Sequence, residues 1–206
     1  MMPKVTVIIP VYNQEKLVIK ALESIPEKTD IEIIVIDDKS TDKTYQKVLR
    51  YLLHNEDKNI LLLQNEENKG VGYTVNKGYD NAKGEYIVLL GSDDYFYKEG
   101  FIKCIKELDG TDLVYFDMKV NNGDIWEINE SSKNVLCGSV KFMRREFVGN
   151  TRCPEAKPAG EDRPFYEELL RKEPTEKFTH IVVKHYNHPR KDSLTDLVRQ
   201  GKLSDV

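Results

Sequence analysis

Two pairs of adjacent aspartates, Asp37–Asp38 and Asp93–Asp94, each close an apolar run, in "IEIIVIDD" and "EYIVLLGSDD". Neighbouring carboxylates repel, and burying them without partners is costly. A positive group should therefore complete the second pair. A divalent cation would neutralise Asp93 and Asp94 and bridge them to a diphosphate, since hard cations prefer oxygen ligands. The carboxylate of Asp38 could accept a hydrogen bond from a base N–H or from ribose hydroxyls. The ring of Tyr12, within Pro10, Val11, Tyr12 and Asn13, could cover a base, and Lys69 places a cation in the glycine-containing loop "NKGVG". Together these residues describe a nucleoside-diphosphate site with Mg2+ or Mn2+. No GxGxxG follows the first strand and no GxxxxGK[ST] occurs, so neither the dinucleotide fingerprint nor the P-loop is present.

These residues are far apart in sequence, and the elements between them must bring them together. "KVTVIIP" reads as a strand. It is followed by "NQEKLVIKALESI", where Leu17, Val18, Ala21, Leu22 and Ile25 fall at helical spacing. "IEIIVID", "NILLLQN" and "EYIVLLG" read as further strands. The segments "STDKTYQKVLRYLL" and "VGYTVNKGYDNAK" between them read as helices. Strands alternating with single helices predict βαβ crossovers, hence an α/β fold with a mostly parallel sheet and helices on both faces. In such a sheet the carboxyl ends of the strands share one side, where ligands bind. The loops carrying Tyr12, Asp38, Lys69 and Asp93–Asp94 should therefore converge. The second half is less regular. "TDLVYFDMKV" and "NNGDIWEIN" suggest a hairpin, "GSVKFMRREFV" and "GEDRPFYEELLRK" short helices, and "THIVVKHYNHPRKDSLT" a strand running into a basic tail.

At 206 residues with a formal net charge of −4, the chain suits one soluble domain without the basic surplus of a general nucleic-acid binder. No apolar stretch approaches the roughly 18 residues of a membrane span. The N-terminus does not read as a signal peptide. The three cysteines, Cys104, Cys137 and Cys153, have no metal-type spacing and read as reduced thiols of a cytoplasmic protein, with peripheral membrane association left open.

The segments "VTVIIPVYNQEKLVIKALESI", "IEIIVIDDKSTDKT", "NKGVGYTVNKGYDNAKGEYIVLLGSDDYF" and "GEDRPFYEELLR" together resemble the family 2 glycosyltransferases of GT-A fold, over residues 4 to about 195. The resemblance implies one domain over residues 1–206, with a nucleotide-sugar half to about residue 97 and an acceptor half beyond it. It implies inverting, non-processive sugar transfer from a nucleotide-activated donor, usually a UDP-sugar, with a divalent metal. Pro10, Val11, Tyr12 and Asn13 would surround the base, and Asp38 would meet the uracil edge. Asp93 would contact the sugar or ribose, and Asp94 would hold the metal. His188, in the basic tail, would reach the metal or the diphosphate. The general base falls at Asp162, with Glu161 beside it, and the start of a helix there would help to keep a carboxylate ionised. Gly91 is a departure, since the family often has aspartate at that position.

Two other readings compete. A sugar-nucleotide nucleotidyltransferase would usually carry a glycine- and basic-rich loop after the first strand, which "PVYNQEK" lacks. A non-catalytic nucleotide-sugar binding module would not need both Asp94 and Asp162. The acceptor is expected to be a hydroxyl-bearing glycan, lipid-linked sugar, protein or modified nucleobase. The tail from Lys184 to Lys191 is expected to be mobile and to close over the diphosphate.

Overall fold

The computed structural model describes residues 2–27, 30–133, 139–155 and 162–189. Its first half follows the predicted alternation. Strand β1 (Val5–Val11) leads to α1 (Val18–Glu23), β2 (Ile31–Asp37) to α2 (Thr44–Leu53), and β3 (Asn59–Gln64) to α3 (Val71–Asn81), which returns to β4 (Tyr86–Leu89). Then come β5 (Tyr95–Phe96), α4 (Lys98–Ile105), β6 (Leu113–Val120), β7 (Ile125–Trp126), β8 (Lys141–Arg144), α5 (Arg145–Val148), α6 (Asp162–Leu170) and β9 (Glu176–Tyr186). One sheet runs in the order β3-β2-β1-β4-β8-β6-β9-β5, with β7 paired to β6.

Alternation along the strands divides the core between two faces. Val5, Val7, Ile9 and Val11 of β1 pack on one side with Ile31, Ile33 and Val35 of β2, against α1 and α4. Ile8, Ile34 and Ile36 point to the other side, beneath Val75 and Tyr79 of α3. Thr6 interrupts the apolar pattern of β1 but is fully satisfied. Its hydroxyl donates to the Glu32 carboxylate at 2.6 Å and accepts the Gly84 N–H at 2.8 Å.

The sheet is mixed rather than mostly parallel. Strands β1 to β4 are parallel, but β8 lies antiparallel between β4 and β6. Strand β8 also corrects the helix expected over "GSVKFMRREFV": residues 141–144 are extended, and only Arg145–Val148 is helical. A segment with sheet partners on both sides buries Lys141, Phe142 and Met143, which outweighs its local helical pattern.

The end of the chain is corrected too. Lys184, His185 and Tyr186 are not a mobile tail. They belong to β9, which pairs with β6 along one edge and with Tyr95–Phe96 along the other. His188 follows with its ring stacked on Tyr186, centroids 5.2 Å apart. The remaining lid candidates, Arg190 and Lys191, lie outside the described residues. No helix among the described residues is long and apolar enough to cross a membrane.

Helix α4 sits directly on β9. A β-carbon added at Gly100 would stand 2.1 Å from the Val182 carbonyl oxygen, a backbone atom that cannot turn aside. Gly100→Ala is therefore expected to destabilise the fold by about 3 kcal/mol. For a chain of this size that lowers the thermal midpoint by roughly 6–12 °C. An unchanged midpoint would show that α4 does not approach β9 this closely.

Candidate active site

Strand register brings the predicted loops to one rim. Val11 is paired with Asp37 and Asp37 with Gln64, so β1, β2 and β3 end side by side. Leu90, just beyond β4, donates its N–H to the Ile8 carbonyl at 2.9 Å, which sets the Gly91–Asp94 turn beside them.

Asn13 laces the first two loops together. Its backbone has φ 50°, a left-handed conformation that asparagine tolerates. Its side-chain oxygen accepts the Thr41 N–H at 2.8 Å, and its own N–H donates to the Ser40 hydroxyl at 2.9 Å. Beside it, Tyr12 is 43% exposed and presents its ring to solvent, while Val11 is buried beneath it.

Asp38 is buried, and both its oxygens accept hydrogen bonds. Oδ1 accepts the Asn65 amide at 2.8 Å and the Lys69 N–H at 2.9 Å, and Oδ2 accepts the Gly70 N–H at 2.8 Å. The carboxylate thus fixes the loop that opens α3. Lys69 contributes its backbone to this clasp. Its ammonium lies 3.7 Å from Glu67 and over the Tyr73 ring. Asp37, next door, accepts from Gln64 and Ser40 through Oδ2, whereas its buried Oδ1 has no hydrogen-bond partner among the described residues.

The Asp93–Asp94 turn is closed by the Asp94 N–H on the Gly91 carbonyl at 2.9 Å. Asp93 is half-buried. Asp94 is 4% exposed, and its partners come from β9 and the residue just beyond it. Oδ1 accepts the Asn187 N–H at 2.8 Å, and Oδ2 lies 3.3 Å from the Lys184 ammonium. Burial pushes the Asp94 carboxyl above the usual carboxylate range, the charge of Lys184 pulls it back, and Asp93 pushes it up again. The positive group beside Asp94 in this structure is the Lys184 ammonium.

That geometry does not suit the divalent ion expected on Asp94 and His188. An ion on Oδ2 would lie against the buried Lys184 ammonium, and Oδ1 already accepts the Asn187 N–H. The His188 ring is packed on Tyr186 and lies 5.7 Å from Trp126. Among the described residues, no three His, Cys, Asp or Glu side chains gather as a metal-binding group. Gly91 leaves no side chain over the turn. A β-carbon there would come within 3.0 Å of Asp93 Oδ1 and 3.1 Å of Asp94 Oδ2.

Asp162 opens α6, on the α3 side of the sheet. The helix is held by two aromatic contacts: Phe165 stacks on Tyr79 at 5.2 Å, and the Tyr166 hydroxyl meets that of Tyr115. Tyr115 also donates to Glu176 at 2.6 Å, and burial together with these neighbours pushes its phenol far up, so it stays protonated. Lys141 lies over the Tyr166 ring at 4.0 Å. Glu161 lies outside the described residues. Sequence reasoning missed Asn65 and Asn76, and it placed Lys184 in a mobile basic tail over the diphosphate rather than beside Asp94. Asn76 holds Cys153 by accepting its N–H at 2.8 Å and donating to its carbonyl at 2.9 Å. The available signal for Lys184 was a charged residue in an apolar strand, "HIVVKHY".

The Glycosyl transferase family 2 model matches residues 6–179. The chain belongs to glycosyl transferase family 2. Among relatives of this family 2 chain, the Staphylococcus aureus poly(ribitol-phosphate) beta-N-acetylglucosaminyltransferase TarS is 36% identical over 129 residues, 59% of this chain and 22% of TarS. The Campylobacter jejuni GalNAc(5)-diNAcBac-PP-undecaprenol beta-1,3-glucosyltransferase is 30% identical over 220 aligned positions, 94% of this chain and 68% of that protein. The crystal structure of S. aureus TarS 1–349 in complex with UDP-GlcNAc superposes with a TM-score of 0.79 at 25% identity. It covers 93% of this chain and 60% of that one. This family 2 chain thus matches well under half the length of TarS, 22% by sequence and 36% by structure.

The Asp38 clasp yields a direct test. Asp38→Ala removes the acceptor for two backbone N–H groups, each bonded to a charged oxygen. Hydrogen exchange at the Lys69 and Gly70 amides should speed up by about tenfold or more in a still-folded protein. Unchanged exchange would mean that Asp38 does not hold this loop.

Proposed function

We propose that the rim binds a nucleotide-diphosphate sugar, with a UDP-sugar as the donor, and that the chain transfers the sugar with inversion to an acceptor hydroxyl, one transfer per encounter. The observation that carries this reading is the convergence of Tyr12, the Asp38-held loop at Lys69–Gly70, and the Asp93–Asp94 turn on the carboxyl ends of four parallel strands. The exposed Tyr12 ring offers the base a stacking surface. The half-buried Asp93 is the carboxylate nearest to sugar or ribose hydroxyls in this scheme. Support comes from relatives named for glucosyl and N-acetylglucosaminyl transfer, and from the structural neighbour that holds UDP-GlcNAc.

In this scheme Asp162 is the general base. It takes the proton from the acceptor hydroxyl as that oxygen attacks the anomeric carbon, and the nucleoside diphosphate leaves from the opposite face. The acceptor is a hydroxyl-bearing molecule gathered by the second half of the chain. The divalent cation implied by the resemblance would serve the leaving diphosphate. Lys184 lies beside Asp94, the carboxylate expected to hold that cation.

The nucleotidyltransferase reading is weakened by the first loop, which is laced through Asn13 to the Ser40–Asp42 segment and carries no glycine-rich phosphate cradle. A binding module without catalysis would tolerate loss of Asp162, which gives the discriminating experiment. Asp162→Asn should leave UDP binding intact by calorimetry and lower sugar transfer by about 100- to 10,000-fold. Transfer at the wild-type rate would remove Asp162 from the role of base. A second measurement addresses the base pocket. Tyr12→Ala should weaken UDP binding by about five- to a hundredfold if the ring stacks on uracil, the range expected for one aromatic–base contact. Equal affinities would place the base elsewhere.

A further inference from the structure

Lys184 differs from the other basic residues near the rim because it is not solvated. Its side chain is 2% exposed, with Nζ 3.3 Å from Oδ2 of Asp94 and hydrogen-bonded to the Ser139 hydroxyl. The Tyr186 ring lies 5.4 Å from the same nitrogen. Its backbone is fixed on both edges, paired with Met118 of β6 and Phe96 of β5. Burying a lysine costs desolvation and side-chain entropy, and a surface position would avoid both. What the burial achieves is neutralisation of a carboxylate that would otherwise stand alone at the foot of the rim. Asn187, just beyond the end of β9, supplies the other partner of that carboxylate.

We propose that Lys184 is the resident cation of this rim: it occupies the position on Asp94 that a divalent ion would take, so that nucleoside-diphosphate binding here does not depend on metal. The inference rests on the nucleotide-sugar reading above for its ligand, but its charge argument concerns only Asp94, Lys184, Ser139 and Asn187. An ammonium provides a single charge and fixed hydrogen-bond directions, whereas a divalent ion needs several open oxygen ligands. With Oδ1 and Oδ2 of Asp94 both engaged, the turn offers the half-buried Asp93 as its remaining carboxylate.

The test has two arms. In the first, Mn2+ is titrated into the protein alone and the free-ion signal is followed by electron paramagnetic resonance. Wild type should leave the signal unchanged, as should Lys184→Arg. Lys184→Gln, which frees Asp94, should bind Mn2+ at least about tenfold more tightly than wild type. In the second arm, UDP is titrated calorimetrically with EDTA or with Mn2+. Wild type should give the same affinity in both, and Lys184→Gln should bind UDP better with Mn2+. Should Lys184→Gln fail to fold, the paired change Asp94→Asn with Lys184→Met removes both charges together. It should bind UDP alike in EDTA and Mn2+ and take up no Mn2+. Tight Mn2+ binding by wild type, or UDP binding by wild type that requires Mn2+, overturns the proposal. Absence of UDP binding in every condition overturns the donor reading instead, while the Mn2+ titration still decides the role of Lys184.

Discussion

A carboxylate taken out of water must find donors or a cation, and the rim of this sheet is organised around two that have done so. Asp38 is met by three N–H donors from Asn65, Lys69 and Gly70. Asp94 is met by the Lys184 ammonium from β9 and by the Asn187 N–H just beyond it. Removing one partner of a buried ion pair typically costs about 3–5 kcal/mol, because the other charge is left uncompensated. Each carboxylate therefore pins the segment that satisfies it. Asp38 fixes the entry to α3, and Asp94 fixes the end of β9 against the turn after β4. The rim is rigid where its charges are buried and open where Tyr12 stands.

This arrangement joins the two halves of the chain. The first half alone supplies the parallel strands and their loops. The second half closes the sheet through β8, which reverses direction between β4 and β6, and through β9, which reaches the Asp93–Asp94 turn. Helix α6 is carried on the opposite face by Tyr79 and Tyr115, which meet its Phe165 and Tyr166. A single protonated phenol network, running from Tyr166 through Tyr115 to Glu176, ties that helix to the start of β9. The strand that neutralises Asp94 and the helix that begins with Asp162 are thus positioned by the same buried contacts.

Periodicity alone established the first half: period-two apolar runs and helical spacing are local signals, and β1 to β4 with α1 to α3 appear where those signals lie. The convergence of Tyr12, Asp38, Lys69 and Asp93–Asp94 followed from parallel topology, which βαβ alternation enforces. The family was legible for the same reason, since its motifs sit in these loops. Other features depended on contacts between distant segments. Strand β8 looked helical until β4 and β6 flanked it. That Asp38 also holds the entry to α3, through Asn65 and the Lys69–Gly70 amides, is visible only in the folded chain. Lys184 looked like part of a solvated tail because its neighbours His185, His188, Arg190 and Lys191 are polar or basic. Only the pairing of β9 with β5 and β6 turned it inward onto Asp94, and a buried charge is set by what surrounds it in space rather than by what precedes it in the chain.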